Sequence, residues 1–204
     1  MNNSKLYFYY GTMGSSKSLR LLTTAYNFEE KGIPFIILKS DIDTRDGNGV
    51  IKSRVGLQRP CTVITKDEDL YSEINCYNTI LNSTLSKLDW ILVDECQFLT
   101  SDQVDQLSRI VDELDINVMC FGLKTDFQSK LFEGSKRLFE LADTIEEIKS
   151  RCECGNKTSI NARFDANGNL MLNGEQILIG DEIYKPLCRK CWMKLKREIE
   201  SKID

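Results

Sequence analysis

The tightest constraint on this chain is an octet near its start, Gly11-Thr12-Met13-Gly14-Ser15-Ser16-Lys17-Ser18. Before it, Leu6-Tyr7-Phe8-Tyr9-Tyr10 reads as a buried strand, and after it Leu19, Leu22 and Tyr26 recur at helical spacing. A glycine-bearing loop ending in Lys-Ser at a strand-to-helix turn is the pattern of a phosphate-binding P-loop. Backbone N–H groups and the positive end of the helix dipole point into one concavity there, which suits phosphate oxygens. Lys17 is placed to reach the β- and γ-phosphates, and the Ser18 hydroxyl to complete a Mg²⁺ shell. At one position the octet departs from the usual pattern: Ser16 stands where a glycine ordinarily precedes the lysine.

Downstream periodicity sets the context of that loop. A first helix is expected over residues 16–31, stopped by Gly32 with Pro34 just beyond. Phe35-Ile36-Ile37-Leu38 is a continuous apolar run, as in a strand covered on both faces. Residues 39–60 are polar and glycine-bearing, and read as a long functional or mobile segment. A short strand at 61–64 and a helix over 67–81 follow, the latter striped by Leu70, Ile74, Tyr77 and Leu81. Trp90-Ile91-Leu92-Val93 is a buried strand ending in Asp94-Glu95. Thr100 with Gln103 forms a candidate capping box for a helix carrying Val104, Leu107, Val111 and Leu114. Asn117-Val118-Met119-Cys120-Phe121 is a further strand, followed by a helix over 135–142 and a weak strand at 145–148. Strands alternating with helices predict an α/β fold with a mostly parallel sheet and ligands at the carboxyl ends of its strands.

From residue 151 the pattern changes. Asn167-Gly168 and Asn173-Gly174 are hairpin signals between short apolar runs. The expected partition is a P-loop nucleotide-binding domain over 1–150, a small β-rich module over 151–191 and a charged helix or tail over 192–204.

Composition narrows the chemistry. The chain has no histidine among its 204 residues, so a general base near neutral pH must be a carboxylate, Lys, Tyr or Cys. A net charge of -4 argues against a broad nucleic-acid footprint, which needs clustered positive charge. No apolar run approaches membrane-spanning length and the N-terminus lacks a signal-peptide pattern, so no membrane partner and a cytoplasmic location are expected. Eight cysteines in such a chain do not imply disulfides.

Asp94, at the end of an apolar strand, can order a Mg²⁺ shell beside the P-loop. Glu95, one residue further, can face an acceptor and take a hydroxyl proton. Cys152, Cys154, Cys188 and Cys191 form a C-x-C and a C-x₂-C pair. Four such thiolates give a closed tetrahedral Zn²⁺ site, structural because no coordination position is left for water. Cys61, Cys76, Cys96 and Cys120 read as small core residues. Gly122-Leu123-Lys124-Thr125-Asp126-Phe127 follows a strand and so lies at the ligand edge, where Phe98, Leu123, Phe127, Phe132 and Tyr184 could wall a pocket for a planar base.

Taken together, the P-loop, Ile91-Leu92-Val93-Asp94-Glu95-Cys96-Gln97-Phe98, the 122–127 segment and the four cysteines resemble the thymidine kinases of human cytosol and many bacteria. The resemblance implies a RecA-like P-loop domain with a zinc-bearing lasso, transferring the γ-phosphoryl of ATP to the 5′-hydroxyl of thymidine or deoxyuridine. It implies Glu95 as catalytic base and Gly11 to Ser18 as phosphate loop, with Ser18 and Asp94 around Mg²⁺. Asp94, Glu95, Cys96 and Gln97 fall in the family's second nucleotide-site motif, and Arg45 of Asp43-Thr44-Arg45 faces phosphate in a D-x-R segment. Phe98, Leu123, Phe127, Phe132 and Tyr184 match positions around the thymine. Gln176, Ile177, Leu178, Ile179 and Gly180 fill the place of the lasso, and Arg163 matches a basic position after the first cysteine pair. A homotetramer inhibited by dTTP is implied by the resemblance alone.

Two other classes fit parts of the pattern. One is a P-loop ATPase coupled to nucleic acid through a zinc knuckle, disfavoured by the negative charge and the lack of an aromatic-plus-basic stripe. The other is a metal-stapled nucleotide-binding regulator without turnover, disfavoured by the acid that follows Asp94.

Overall fold

Six strands, all paired in parallel, carry the molecule, in the order β5-β2-β6-β7-β1-β8. They are β1 (Leu6–Tyr10), β2 (Phe35–Ser40), β5 (Thr62–Ile64), β6 (Trp90–Asp94), β7 (Asn117–Gly122) and β8 (Thr144–Glu147). The structure, a computed structural model, describes residues 4–44, 47, 49–82, 87–177 and 183–201.

Helices cover both faces, which is why the strands read as unbroken apolar runs rather than alternating ones. On one side α2 (Leu70–Asn82), α3 (Ser101–Leu114) and α4 (Glu133–Leu141) enclose Leu6, Phe8, Ile91, Val93, Val118 and Cys120. On the other, Leu21, Leu22 and Ala25 of α1 (Lys17–Glu30) pack on Tyr9, Ile37, Leu92 and Phe121. The capping box at α3 is present: the Gln103 N–H donates to Thr100 Oγ1 at 3.1 Å, and the Thr100 N–H to Gln103 Oε1 at 3.3 Å. No described helix is long and apolar enough to cross a membrane.

The 39–60 segment is not the loop its polarity suggests. It contains an antiparallel hairpin, β3 (Val50–Lys52) and β4 (Gln58–Pro60), pinned to the domain by Ile51, which is buried with the α1 residues. Three-residue strands with one inward side chain give too little alternation to register as strands.

Past residue 150, β9 (Ile160–Phe164) is flanked antiparallel by β10 (Leu170–Met171) and β11 (Ile183–Leu187). The amphipathic α5 (Arg189–Glu200) lays Trp192, Leu195 and Ile199 on the small core of Cys152, Ala162, Leu170, Leu187 and Cys188. Asn167-Gly168 does turn β9 into β10, with Gly168 at φ 80°. Asn173-Gly174 does not make a hairpin: β11 pairs with β9, and Gly174 instead packs against Arg163. Cys76 is exposed rather than core, whereas Cys96 and Cys120 are fully buried.

Candidate active site

Because β1, β6 and β7 are parallel neighbours, the chain segments leaving them meet at one edge of the sheet. The loop after β1 is held tightly. The Gly11 N–H donates to the Gly122 carbonyl at 3.2 Å, and a side chain on Gly11 would collide with Ser15 Oγ and the Ile148 carbonyl. Gly14 has φ 72° and Ser16 φ 67°, so the missing glycine leaves the backbone in the left-handed region with a serine occupying it. The Lys17 ammonium, buried, donates to the Thr12 carbonyl at 2.9 Å.

Asp94 ends β6 inside the protein, with the Ser18 hydroxyl beside its carboxyl. Burial first and then the neighbouring Glu95 charge push its pKa up to about 7, against the opposing pull of Ser18 and Lys17. Its Oδ1 is buried and has no hydrogen-bond partner among the described residues. An unsatisfied carboxylate oxygen beside a serine hydroxyl is a donor set suited to a hard divalent cation such as Mg²⁺.

Glu95 follows at φ 49°, another left-handed non-glycine residue and an uncommon geometry. Gln97, in the short 3₁₀ turn Cys96–Phe98, donates from Nε2 to Glu95 Oε2 and accepts the Leu123 N–H at 2.9 Å through Oε1. A side chain at Gly122 would strike Cys96 Sγ at 2.6 Å and Gln97 Oε1 at 2.7 Å, so the glycine permits this bracket.

Beyond Glu95 the cleft becomes apolar. Phe98 and Phe132 meet edge to face, 5.9 Å between centroids. Phe127 is 2% exposed, and the Arg163 guanidinium stacks 3.8 Å from its ring centroid. Arg163 Nη1 donates to the Glu175 carbonyl at 2.8 Å, and Gln176 Nε2 to Asp126 Oδ2 at 2.9 Å, so the chain after β10 lies over the 125–127 loop.

One cleft of about 780 Å³ is lined by Met13, Gly14, Ser16, Lys17 and Ser18 of the octet and by Asp94, Glu95 and Gln97. The same cleft takes in Phe98, Leu123, Phe127, Phe132, Gln176, Ile177 and Tyr184. Gly11, Thr12 and Ser15 do not line it; they brace the loop from behind. Cys96 faces inward, fully buried and beside the Cys120 thiol, both free. Arg45, Leu178, Ile179 and Gly180 lie outside the described residues.

Sequence reasoning missed the residues that tie the small module to the loop. Asn161, on β9, accepts the Met13 N–H at 2.8 Å and donates to the Thr125 carbonyl at 3.1 Å. Thr12 Oγ1 bonds Ser150 Oγ and Thr158 Oγ1, both at 2.8 Å. The hairpin turn of Ser53, Arg54, Val55 and Gly56 also borders the cleft. No local pattern flags Asn161; the Arg-Val-Gly turn was legible only as polar chain.

The sulfurs of Cys152, Cys154, Cys188 and Cys191 all lie within 4.8 Å of one another, and Cys154 and Cys188 approach to 3.5 Å. Tetrahedral thiolates at Zn–S of about 2.3 Å stand roughly 3.8 Å apart, so the cluster fits that ion. The Asn156 N–H groups lower the Cys154 thiol to about 6, while the neighbouring cysteines raise Cys191 to about 12. Thiols this close cannot all ionise without a cation between them.

A family model described as thymidine kinase matches residues 4–192. The chain is 46% identical over 189 residues to a thymidine kinase of Streptococcus agalactiae serotype V, covering 92% of this chain and 96% of the relative. It is 45% identical over 189 residues to a thymidine kinase of Streptococcus pyogenes serotype M1, with the same coverage of 92% and 96%.

Proposed function

This chain belongs to the thymidine kinase family, and from that premise we propose that it transfers the γ-phosphoryl group of ATP to the 5′-hydroxyl of thymidine, and of deoxyuridine, in pyrimidine deoxynucleoside salvage. The observation that carries the proposal is the shared cleft: Lys17 and Ser18 of the phosphate loop, the Glu95 carboxylate, and the aromatic side chains Phe98, Phe127, Phe132 and Tyr184 all line it.

In this reading the triphosphate rests on the N–H groups of residues 11–18 with Lys17 against it. Ser18 and Asp94 hold Mg²⁺, which offsets phosphate charge when bound. The pyrimidine lies between the aromatic walls, main-chain groups of residues 176–180 read its polar edge, and the narrow wall excludes purines. Glu95, oriented by Gln97, accepts the 5′-hydroxyl proton as that oxygen bonds to the γ-phosphorus and the bond to the leaving ADP oxygen breaks. Positioning and charge stabilisation supply most of the acceleration, because little covalent chemistry is left to the protein. Arg45 contributes to phosphate binding, and Zn²⁺ on the four cysteines staples the lasso. The division 1–150, 151–191 and 192–204, the homotetramer, dTTP feedback and cytoplasmic location belong to the same proposal.

The experiment is a phosphoryl-transfer assay with ATP·Mg²⁺ across the natural nucleosides. Turnover is expected with thymidine and deoxyuridine and not with purine nucleosides. Absence of thymidine monophosphate would overturn the reading, and stabilisation by single-stranded DNA in its place would favour the nucleic-acid ATPase.

A further inference from the structure

The β3–β4 hairpin delivers to the phosphate loop an arginine that the reaction above does not use. A methyl group placed on Gly14 would stand 3.2 Å from Arg54 Nη1 and 3.7 Å from its Cζ. The guanidinium thus lies against the loop backbone at the residue whose missing side chain leaves room for it. Arg54 borders the same cleft as Lys17, Ser18 and Glu95. No hydrogen bond or carboxylate partner engages it among the described residues.

Its backbone, by contrast, is fixed. The Ser53 N–H donates to the Leu57 carbonyl at 2.8 Å, and the Leu57 N–H to Ser53 Oγ at 3.1 Å, closing the turn around Arg54. Ile51 is 1% exposed beneath it, and Arg59 on β4 pairs with Glu29 of α1. A rigid hairpin presenting an uncompensated planar cation to a phosphate loop is a pre-organised anion contact, since ordering the stem has already been done by the fold.

We propose that Arg54 is a phosphate-binding residue, whose guanidinium takes oxygens of the terminal phosphates of the nucleotide on residues 11–18. The inference rests on the reading of that octet as the triphosphate site. A fork of N–H donors matches two phosphate oxygens at once, and in phosphoryl transfer it stabilises charge spread over the equatorial oxygens.

The test compares the full-length wild type with Arg54→Ala and Arg54→Lys in three measurements. These are the melting temperature, steady-state kinetics with ATP and thymidine, and direct binding of a β,γ-imido ATP analogue and of ADP. Arg54→Ala is expected to lower kcat/KM for ATP by about 10- to 100-fold, the scale of a lost hydrogen bond to a charged group. Melting temperature and the KM for thymidine stay unchanged, affinity falls more for the analogue than for ADP, and Arg54→Lys recovers part of the loss. Values for Arg54→Ala within about twofold of wild type, the range of ordinary surface changes, would overturn the inference. Losses that follow a lowered melting temperature in both variants would overturn it too, by making Arg54 a structural residue. Wild type that binds the analogue yet leaves thymidine unphosphorylated would sink the proposed reaction, while the binding measurements still decide Arg54.

Discussion

The side-chain amide of Asn161 accepts the backbone N–H of Met13 at 2.8 Å, joining the small β module to the phosphate loop across 148 residues of sequence. The same amide donates to the Thr125 carbonyl at 3.1 Å, so one buried side chain fixes two edges of the cleft. Asn161→Ala removes both bonds and leaves buried groups unpaired, costing about 1–3 kcal/mol. The expected outcome is a melting temperature lower by roughly 2–4 °C per kcal/mol, with raised KM for both ATP and thymidine. A variant with wild-type melting and wild-type KM values would show that the modules hold their registration without it.

Glu95→Gln keeps the size of the side chain and its bond from Gln97 but loses the proton acceptor. Turnover is expected to fall by about 10²-fold or more with an unchanged melting curve, as for a lost general base. Near-normal kcat would remove Glu95 from that role.

Ser16 holds a left-handed backbone at φ 67° with no side-chain cap bond to compensate. Left-handed geometry costs a non-glycine residue about 1–2 kcal/mol, and glycine gives back about 0.5–1 kcal/mol through its freer unfolded chain. Ser16→Gly should therefore raise the melting temperature slightly while ATP kinetics hold. A drop in thermal stability would mean that the serine hydroxyl supports the loop.

Gly174 has φ 136°, and a Cβ there would stand 2.2 Å from Arg163 Nη2. Arg163 is 2% exposed between Phe127 and the 173–175 carbonyls, so it has nowhere to move. Gly174→Ala is expected to destabilise by about 2 kcal/mol or more and to raise the KM for thymidine ahead of that for ATP. Calorimetry and paired kinetics check it; equal stability would show that the guanidinium can retreat.

Metal analysis should find one Zn²⁺ per chain, and a strong chelator should lower the melting temperature and expose the Cys152, Cys154, Cys188 and Cys191 thiols to a thiol reagent. Cys188→Ser should reproduce the thermal loss without chelator. Thiols that react fully before chelation would exclude a bound ion.

The sequence by itself determined the alternating α/β order, the parallel sheet, the octet at the end of β1, the acids at the end of β6 and the cysteine pairs. Each of these is written within a few residues, where hydrophobic period and ligand spacing are local quantities. Tertiary structure decided what meets across the chain: Asn161 against Met13, Arg54 against Gly14, Arg163 between Phe127 and Gly174. It also decided that β11 closes on β9, leaving Asn173-Gly174 to accommodate a buried arginine rather than a hairpin. Such contacts depend on packing between distant elements, and no local spacing records which side chain a folded backbone will bring alongside.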